Sequence, residues 1–156
     1  MKNITYKQTQ YINQIAEIHE SELERQYADY RKSKLSVALR VEMIEHGLRN
    51  SDDNILIKTN HEQLIGFIWS RYDKVQKLAT IEMLYVEPSH RKLGIATILK
   101  KEIEAWAMNK GARKIESTVA YSNRKIQELN LNMGYNKDKI IMSKNLLVNN
   151  EDNIKQ

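Results

Sequence analysis

The chain has 156 residues, 25 Lys+Arg against 20 Asp+Glu for a formal net charge of +5, and 41% hydrophobic residues. That length supports one globular domain with its own core and leaves too little for a second. The absence of cysteine removes disulfides, thiolate metal sites and a cysteine nucleophile, and five glycines with one proline exclude collagen-like repeats and Pro-rich linkers.

Residues 1–20 hold no apolar run of signal-peptide length, and no stretch nears the roughly 18 apolar residues that span a bilayer. The expectation is a cytoplasmic protein that makes no use of a membrane. A pI near 9.3 invites a polyanionic partner, but Lys and Arg are dispersed among acids rather than clustered with aromatics, so nucleic acid ranks last. A small phosphorylated ligand suits a modest positive charge better.

Asn3–Thr9 alternates weakly through Ile4 and Tyr6 and predicts a short first strand. From Tyr11 to about Tyr30, the residues Ile12, Ile15, Ala16, His19, Leu23, Tyr27 and Tyr30 recur at three- and four-residue steps, the period of an amphipathic helix. Glu17, Glu20, Glu24 and Arg25 take its other face. After the polar break 31–34, a second helix carries Val37, Ala38, Val41, Ile44 and Leu48, with Gly47 and 50–53 expected to end it.

Three strands follow, Asn54–Thr59, Gln63–Tyr72 and Leu78–Val86, joined by short polar turns into an antiparallel meander. A basic loop, Ser89 to Gly94, opens into a helix running to Gly111. Lys114–Ala120 then predicts a strand, Asn123–Met133 a short helix stopped by Gly134, and Lys139–Leu147 a last strand. This order predicts an α/β (α+β layered) fold, a sheet with helices on its faces, as a single domain over 1–147 with a polar tail over 148–156. Trp69 and Trp106 fall at apolar-periodic positions and read as core. His19 reads as a satisfied packing histidine; His46, His61 and His90 lack metal-ligand spacing, so no metal is expected.

The chemistry is concentrated in Leu84–Thr97, LYVEPSHRKLGIAT. A strand ends at a proline turn, and a loop with two adjacent cations and a glycine runs directly into a helix. The first turn of a helix carries unpaired N–H groups and partial positive charge, so it attracts anions. Gly94 and the small Ala96 let backbone approach a ligand closely, and Arg91 and Lys92 add full charges. The pattern reads as a pyrophosphate cradle; the chain has neither GxxxxGK[ST] nor GxGxxG.

Arg91-Lys92-Leu93-Gly94-Ile95-Ala96 resembles the R/Q-x-x-G-x-G/A loop of the GNAT superfamily of acetyl-CoA-dependent N-acetyltransferases. Downstream, Asn123, Leu129, Gly134 and Tyr135 resemble its second signature, N-x-x-A-x-x-L-Y-x-x-x-G-F, with Ile126 for Ala, Asn130 for Tyr and Tyr135 for Phe. The resemblance covers nearly the whole chain. It implies a mixed, mostly antiparallel sheet of about six to seven strands with helices on both faces.

It also implies acetyl-CoA as co-substrate. Its pyrophosphate would lie on Arg91, Lys92, Leu93, Gly94, Ile95, Ala96 and Thr97. The pantetheine arm would run beside Leu84, Tyr85 and Val86, and Asn123 and Asn130 would flank it. A backbone N–H near Val86 would hold the developing oxyanion. By the two-residue strand period, Thr80, Glu82, Leu84 and Val86 share a face, which nominates Glu82 as general base. Its alternative is an exposed carboxylate pairing with a neighbouring lysine, and some family members place the base one step earlier, here Thr80. The family's acid tyrosine is Asn130 here, which leaves unaided thiolate departure, a different tyrosine (Tyr121 or Tyr135), or acyl-CoA binding without turnover.

The acceptor, a small amine, an antibiotic-like polyamine, an amino acid or a protein amine, would meet the two N-terminal helices. There Tyr27 and Tyr30 are candidate contacts among several glutamates, against the alternative of a solvated face with two core tyrosines. The resemblance admits a homodimer, but no residue pattern marks an interface.

Overall fold

The computed structural model describes residues 1–147, which divide into two compact units, Met1–Thr118 and the chain from Val119 onward. The polar tail expected over 148–156 lies outside the described residues.

The first unit is a five-stranded sheet in the order β1-β2-β3-β4-β5, with β1 Lys2–Asn3, β2 Asp53–Asn60, β3 Gln63–Asp73, β4 Leu78–Val86 and β5 Lys114–Ser117. Neighbours are antiparallel except β4 and β5, which run parallel over Leu78–Ile81 against Lys114–Ser117. Helices α1 (Thr9–Gln26) and α2 (Lys34–Asn50) bury one face of the sheet, and α3 (Ile95–Lys110) buries the other. The mixed sheet with helices on both faces is as predicted.

Each face has its own core. On the first, Ile12, Ile15 and Ile44 pack on Ile55, Ile57, Phe67 and Trp69, all at most 2% exposed. On the second, Ile95, Leu99 and Ile103 of α3 pack on Leu56, Ile68 and Ile81. Full burial of each such side chain contributes about 1.5–3 kcal/mol. α3 comes close because β3 has glycine beneath it: a Cβ on Gly66 would lie 3.3 Å from Ile95 and 3.1 Å from the Tyr85 carbonyl.

Several elements differ from expectation. The first strand shrinks to two residues because Gln8 N–H bonds back to Thr5 O at 3.1 Å, making a turn, although Ile4 stays buried and bonded to β2. α1 stops at Gln26, where Tyr27 turns extended and 59% exposed, so Tyr27 is not core. α2 starts with a reciprocal Ser33–Ser36 capping box and runs through Gly47 to Asn50. Gly47 does not end the helix; its missing side chain admits the Asp53 carboxylate, which a Cβ would meet at 2.1 Å.

The second unit contains α4 (Arg124–Asn132), whose first N–H groups are capped by Asn123 and which Gly134 closes with a left-handed φ of 90°. The predicted last strand Lys139–Leu147 is not formed, which leaves five strands among the described residues rather than six or seven. A strand exists only by pairing, and this segment has no ladder partner; Ile140, Ile141, Met142, Leu146 and Leu147 are all at least 80% exposed.

Candidate active site

β4 changes character midway. Trp69 of β3 stands opposite Met83 and Ser70 opposite Ile81, so Glu82 is an extra residue, a β-bulge. Pairing with β5 ends at Ile81, one residue earlier. From Glu82 to Val86, β4 therefore has a strand partner only on its β3 side among the described residues. Glu87 N–H donates to Ile65 O on β3 at 2.9 Å. Backbone groups alternate along a strand, so Val86 and Leu84 aim their N–H and C=O groups to the opposite side, where β5 has ended.

The bulge also revises the face assignment. Leu84 and Val86 pack with Ile81 on the α3 side, while Met83 and Tyr85 pack with the α1/α2 core. A strict two-residue period would have put Thr80 and Glu82 with Leu84 and Val86; one inserted residue breaks that count. Glu82 is exposed. Among the described residues it forms no pair with a lysine, and its charge is felt by Arg71, whose pKa is raised first by the Asp53 hydrogen bond and least by Glu82.

Beyond β4, a single 3-10 turn, Pro88–His90, leads into the basic loop. Lys92 and Gly94 both take left-handed backbone, φ 64° and 78°. Gly94 is the N-cap of α3, with no side chain capping the first turn and no acid within it. The N–H groups of Ile95, Ala96 and Thr97 thus point out of the helix end. A Cβ at Gly94 would meet nothing within 4 Å, so glycine is required there by φ and the space above it is open. Lys92 is exposed beside this end. Arg91 is placed differently from expectation: its Nε donates to the Val86 carbonyl at 2.9 Å, closing one outward acceptor of β4. Loop donors and a strand edge with outward amides form a donor set that fits a phosphate followed by an amide-bearing chain.

On the α1 side, a hollow of about 430 Å³ opens at the end of β4, lined in part by Asn13, Gln14, Glu17, Gln63, Tyr85 and Glu87. Glu87 accepts from Ser89 Oγ and lies 2.6 Å from His90 Nδ1, and these bonds hold its carboxyl below the usual range. Sequence reading missed Asn13, Gln14 and Gln63, since polar residues on a helix and a turn carry no signal until the fold brings them together. Glu87 was legible only as part of the strand's exit.

Tyr30 is neither packing nor free: its hydroxyl donates to Glu20, which also accepts from Arg40 Nε at 2.9 Å and is 1% exposed. Burial pushes the Glu20 pKa up, but Tyr30 and Arg40 outweigh it and leave it lowered. His19 is not satisfied, as its buried Nδ1 has no hydrogen-bond partner among the described residues; its ring meets Trp69 edge-on at 6.1 Å. Burial first, then Arg40, lowers its pKa to about 4.

In the second unit, Asn123 Oδ1 accepts from Ile126 N–H at 3.3 Å, Asn130 is 8% exposed with no hydrogen-bond partner for its Oδ1 among the described residues, Tyr121 is 82% exposed under Arg124, and Tyr135 N–H donates to Asn130 O.

The profile of the Acetyltransferase (GNAT) family matches residues 12–135, well over half of the chain. The chain belongs to the GNAT acetyltransferase family. A structure from Staphylococcus aureus subsp. aureus, described as of the GNAT acetyltransferase family, is 44% identical, with a TM-score of 0.71 over 75% of this chain and 98% of that one. An aminoglycoside N(6')-acetyltransferase type 1 from Acinetobacter genomosp. 13 is 32% identical over 74 residues, 47% of this chain and 51% of that relative, so the match spans about half of its length. The structure of AAC(6')-Iy in complex with a bisubstrate analogue, CoA-S-monomethyl-acetylneamine, shares the fold: TM-score 0.64 at 19% identity, over 94% of this chain and 97% of that one. This GNAT chain is thus an acetyltransferase by family. Among the described residues no group of three or more His, Cys, Asp or Glu could hold a metal ion, and no helix is long and apolar enough to cross a membrane.

Proposed function

We propose that this GNAT protein transfers acetyl from acetyl-CoA to a primary amine of a cationic, polyamine-like acceptor. The observation that carries the reading is the edge of β4 from Glu82 to Val86, unpaired beyond the bulge and ending beside the uncapped first turn of α3. Acetyl-CoA, when bound, supplies the activated acyl group. Ile95, Ala96 and Thr97 N–H groups with Lys92 would hold its pyrophosphate, and the outward amides of Leu84 and Val86 would align its arm. Arg91 would have to leave the Val86 carbonyl, or the arm would use the Val86 N–H alone. That N–H would also stabilise negative charge on the acyl oxygen.

An amine with a pKa of about 10.4 is neutral only roughly 0.04% of the time at pH 7, so proton removal is the step a side chain must assist. Glu82, exposed at the bulge, is the proposed base, directly or through water. Glu87 in the hollow at the end of β4, and Glu17 on exchanging Lys32 for an ammonium of the ligand, would attract a polycation. This replaces Tyr27 and Tyr30 as the proposed acceptor contacts, since Tyr30 is engaged by Glu20. The aminoglycoside acetyltransferase named among the relatives supports an acceptor of this charge class. Tyr121 and Tyr135 stay the candidate acids for the departing thiolate, Asn130 having no acidic proton to give.

A screen of primary amines for acetyl-dependent CoA release tests the function. Polyamines should be turned over and monoanionic amino acids poorly. Release with no amine tested, aminoglycosides included, would sink the acceptor class. Glu82→Gln should lower kcat by about 10²-fold and remove the lower pKa of the rate profile. An unchanged rate and profile would remove Glu82 from the base role.

A further inference from the structure

α2 presents two unlike faces. Ile44 and Gly47 are buried, and Val37, Val41 and Leu48 pack with them against the sheet. On its outer face Leu35, Leu39 and Met43 follow at four-residue steps and are 68%, 56% and 46% exposed. Such steps stack side chains into one ridge, so three large apolar groups form a continuous strip over two turns. Single exposed apolar residues are ordinary; an ordered strip of them marks a surface that is covered in use.

The charges along the strip say what covers it. Lys34, Ala38 and Glu42 run at four-residue steps down one flank, with Glu45 three residues further on. The flank is therefore cationic at the start of the helix and anionic past its middle, before Arg49, which lies over the Tyr6 ring, ends it. Lys34, Glu42 and Glu45 make no hydrogen bond or ion pair among the described residues, whereas nearby Lys32 is tied to Glu17. When two helices pack antiparallel, like flanks meet head to tail, as flanking charges do in coiled coils. A second copy of α2 laid antiparallel about Leu39 brings each Lys34 to the other's Glu42 and Glu45. A parallel pair would instead set this flank against the partner's other flank, where Arg40 is already bonded to Glu20. An anionic membrane would meet the two glutamates.

We propose that two copies of this chain associate through α2, antiparallel and two-fold symmetric, with Leu35, Leu39 and Met43 at the centre and Lys34 paired across to Glu42 and Glu45. Such an interface is closed, so assembly stops at the dimer.

Sedimentation of the full chain from about 1 to 200 µM tests this, because mass action must move the dimer fraction with concentration. The expected result is a shift from 18.4 kDa towards twice that mass. Leu39→Glu should weaken association by well over tenfold, roughly the effect of one lost hot-spot contact. Lys34→Glu should weaken it several-fold, and adding Glu42→Lys and Glu45→Lys to the same chain should restore it. Lys34, Leu39 and Glu42 are exposed and Glu45 is half-buried, and circular dichroism at the lowest concentration checks that each variant is folded. A monomer at every concentration overturns the proposal, as does a dimer that Leu39→Glu leaves intact. Failure of the triple charge reversal to recover association overturns the antiparallel arrangement. A monomer whose turnover falls with Leu39→Glu would give the strip to the acceptor instead.

Discussion

Gly94 and His19 show how single residues set function and stability here. Gly94 holds φ at 78° with open space where a side chain would be, so Gly94→Ala meets no clash but strains the backbone by about 1–2 kcal/mol. The strain falls on the loop whose N–H groups are proposed to take the pyrophosphate. The expected outcome is a KM for acetyl-CoA raised several-fold with kcat changed less, read from steady-state kinetics; an unchanged KM would separate the loop from cofactor binding. His19 predicts a pH effect. Its folded pKa of about 4 lies below the 6.5 of an unperturbed histidine. Between those values the unfolded chain binds a proton that the folded chain does not, so stability falls as pH drops from about 6.5 towards 4, and below that its contribution levels off. Tm measured across this window should decline less steeply in His19→Leu than in the parent. Equal slopes would show that other groups govern acid unfolding.

At the scale of elements, one buried carboxylate joins three of them. Asp53 at the start of β2 accepts from Trp69 Nε1 at 2.9 Å and from Arg71 Nε at 2.8 Å on β3, and its carboxylate fills the space left by Gly47 of α2. Its side chain is wholly buried in the pair. Arg71 is 43% exposed and can be resolvated, so the main loss in Asp53→Ala is of charge-assisted hydrogen bonds and of the Trp69 N–H acceptor, about 2–4 kcal/mol, which should lower Tm by roughly 4–16 °C in a domain of this size. Gly47→Ala should cost about 1–3 kcal/mol by overpacking against the same carboxylate, despite alanine's better helix propensity. Denaturant titration of both variants checks the ranking; a stabilised Gly47→Ala would mean that α2 shifts freely. The bulge at Glu82 is the other element-scale feature. It lies where the ladder with β5 stops, and beyond it the outward backbone amides of β4 stand at the place where the family's chemistry is proposed to occur.

For the whole molecule, ligand linkage gives the widest test. Acetyl-CoA at 100 times its Kd should stabilise the chain by about 2.7 kcal/mol, which raises Tm by several degrees. Charge reversal at Lys92 should reduce that shift, more so at low salt, because exposed charges are screened as ionic strength rises. Reversal at Arg91 carries a second effect, since it also frees the Val86 carbonyl. No shift at millimolar acetyl-CoA would contradict the cradle.

The sequence alone determined the elements and their order in the first unit, because amphipathic periods, a glycine after α3 and the polar turns of the meander are local signals. It located the basic loop before α3, since Gly94 beside two cations is also local. Only the tertiary structure decided what depends on pairing. The bulge that moves Ile81 to the side of Leu84 and Val86 exists only against β3, and no single-strand period reveals it. Gly47 looked like a helix stop and is a packing space for a carboxylate six residues on. Lys139–Leu147 has the composition of a strand but no ladder, and composition cannot supply a partner. The apolar ridge of α2 was hidden for the same reason: until burial assigns the inner face to Ile44 and Gly47, Leu35, Leu39 and Met43 read as more of the same helix.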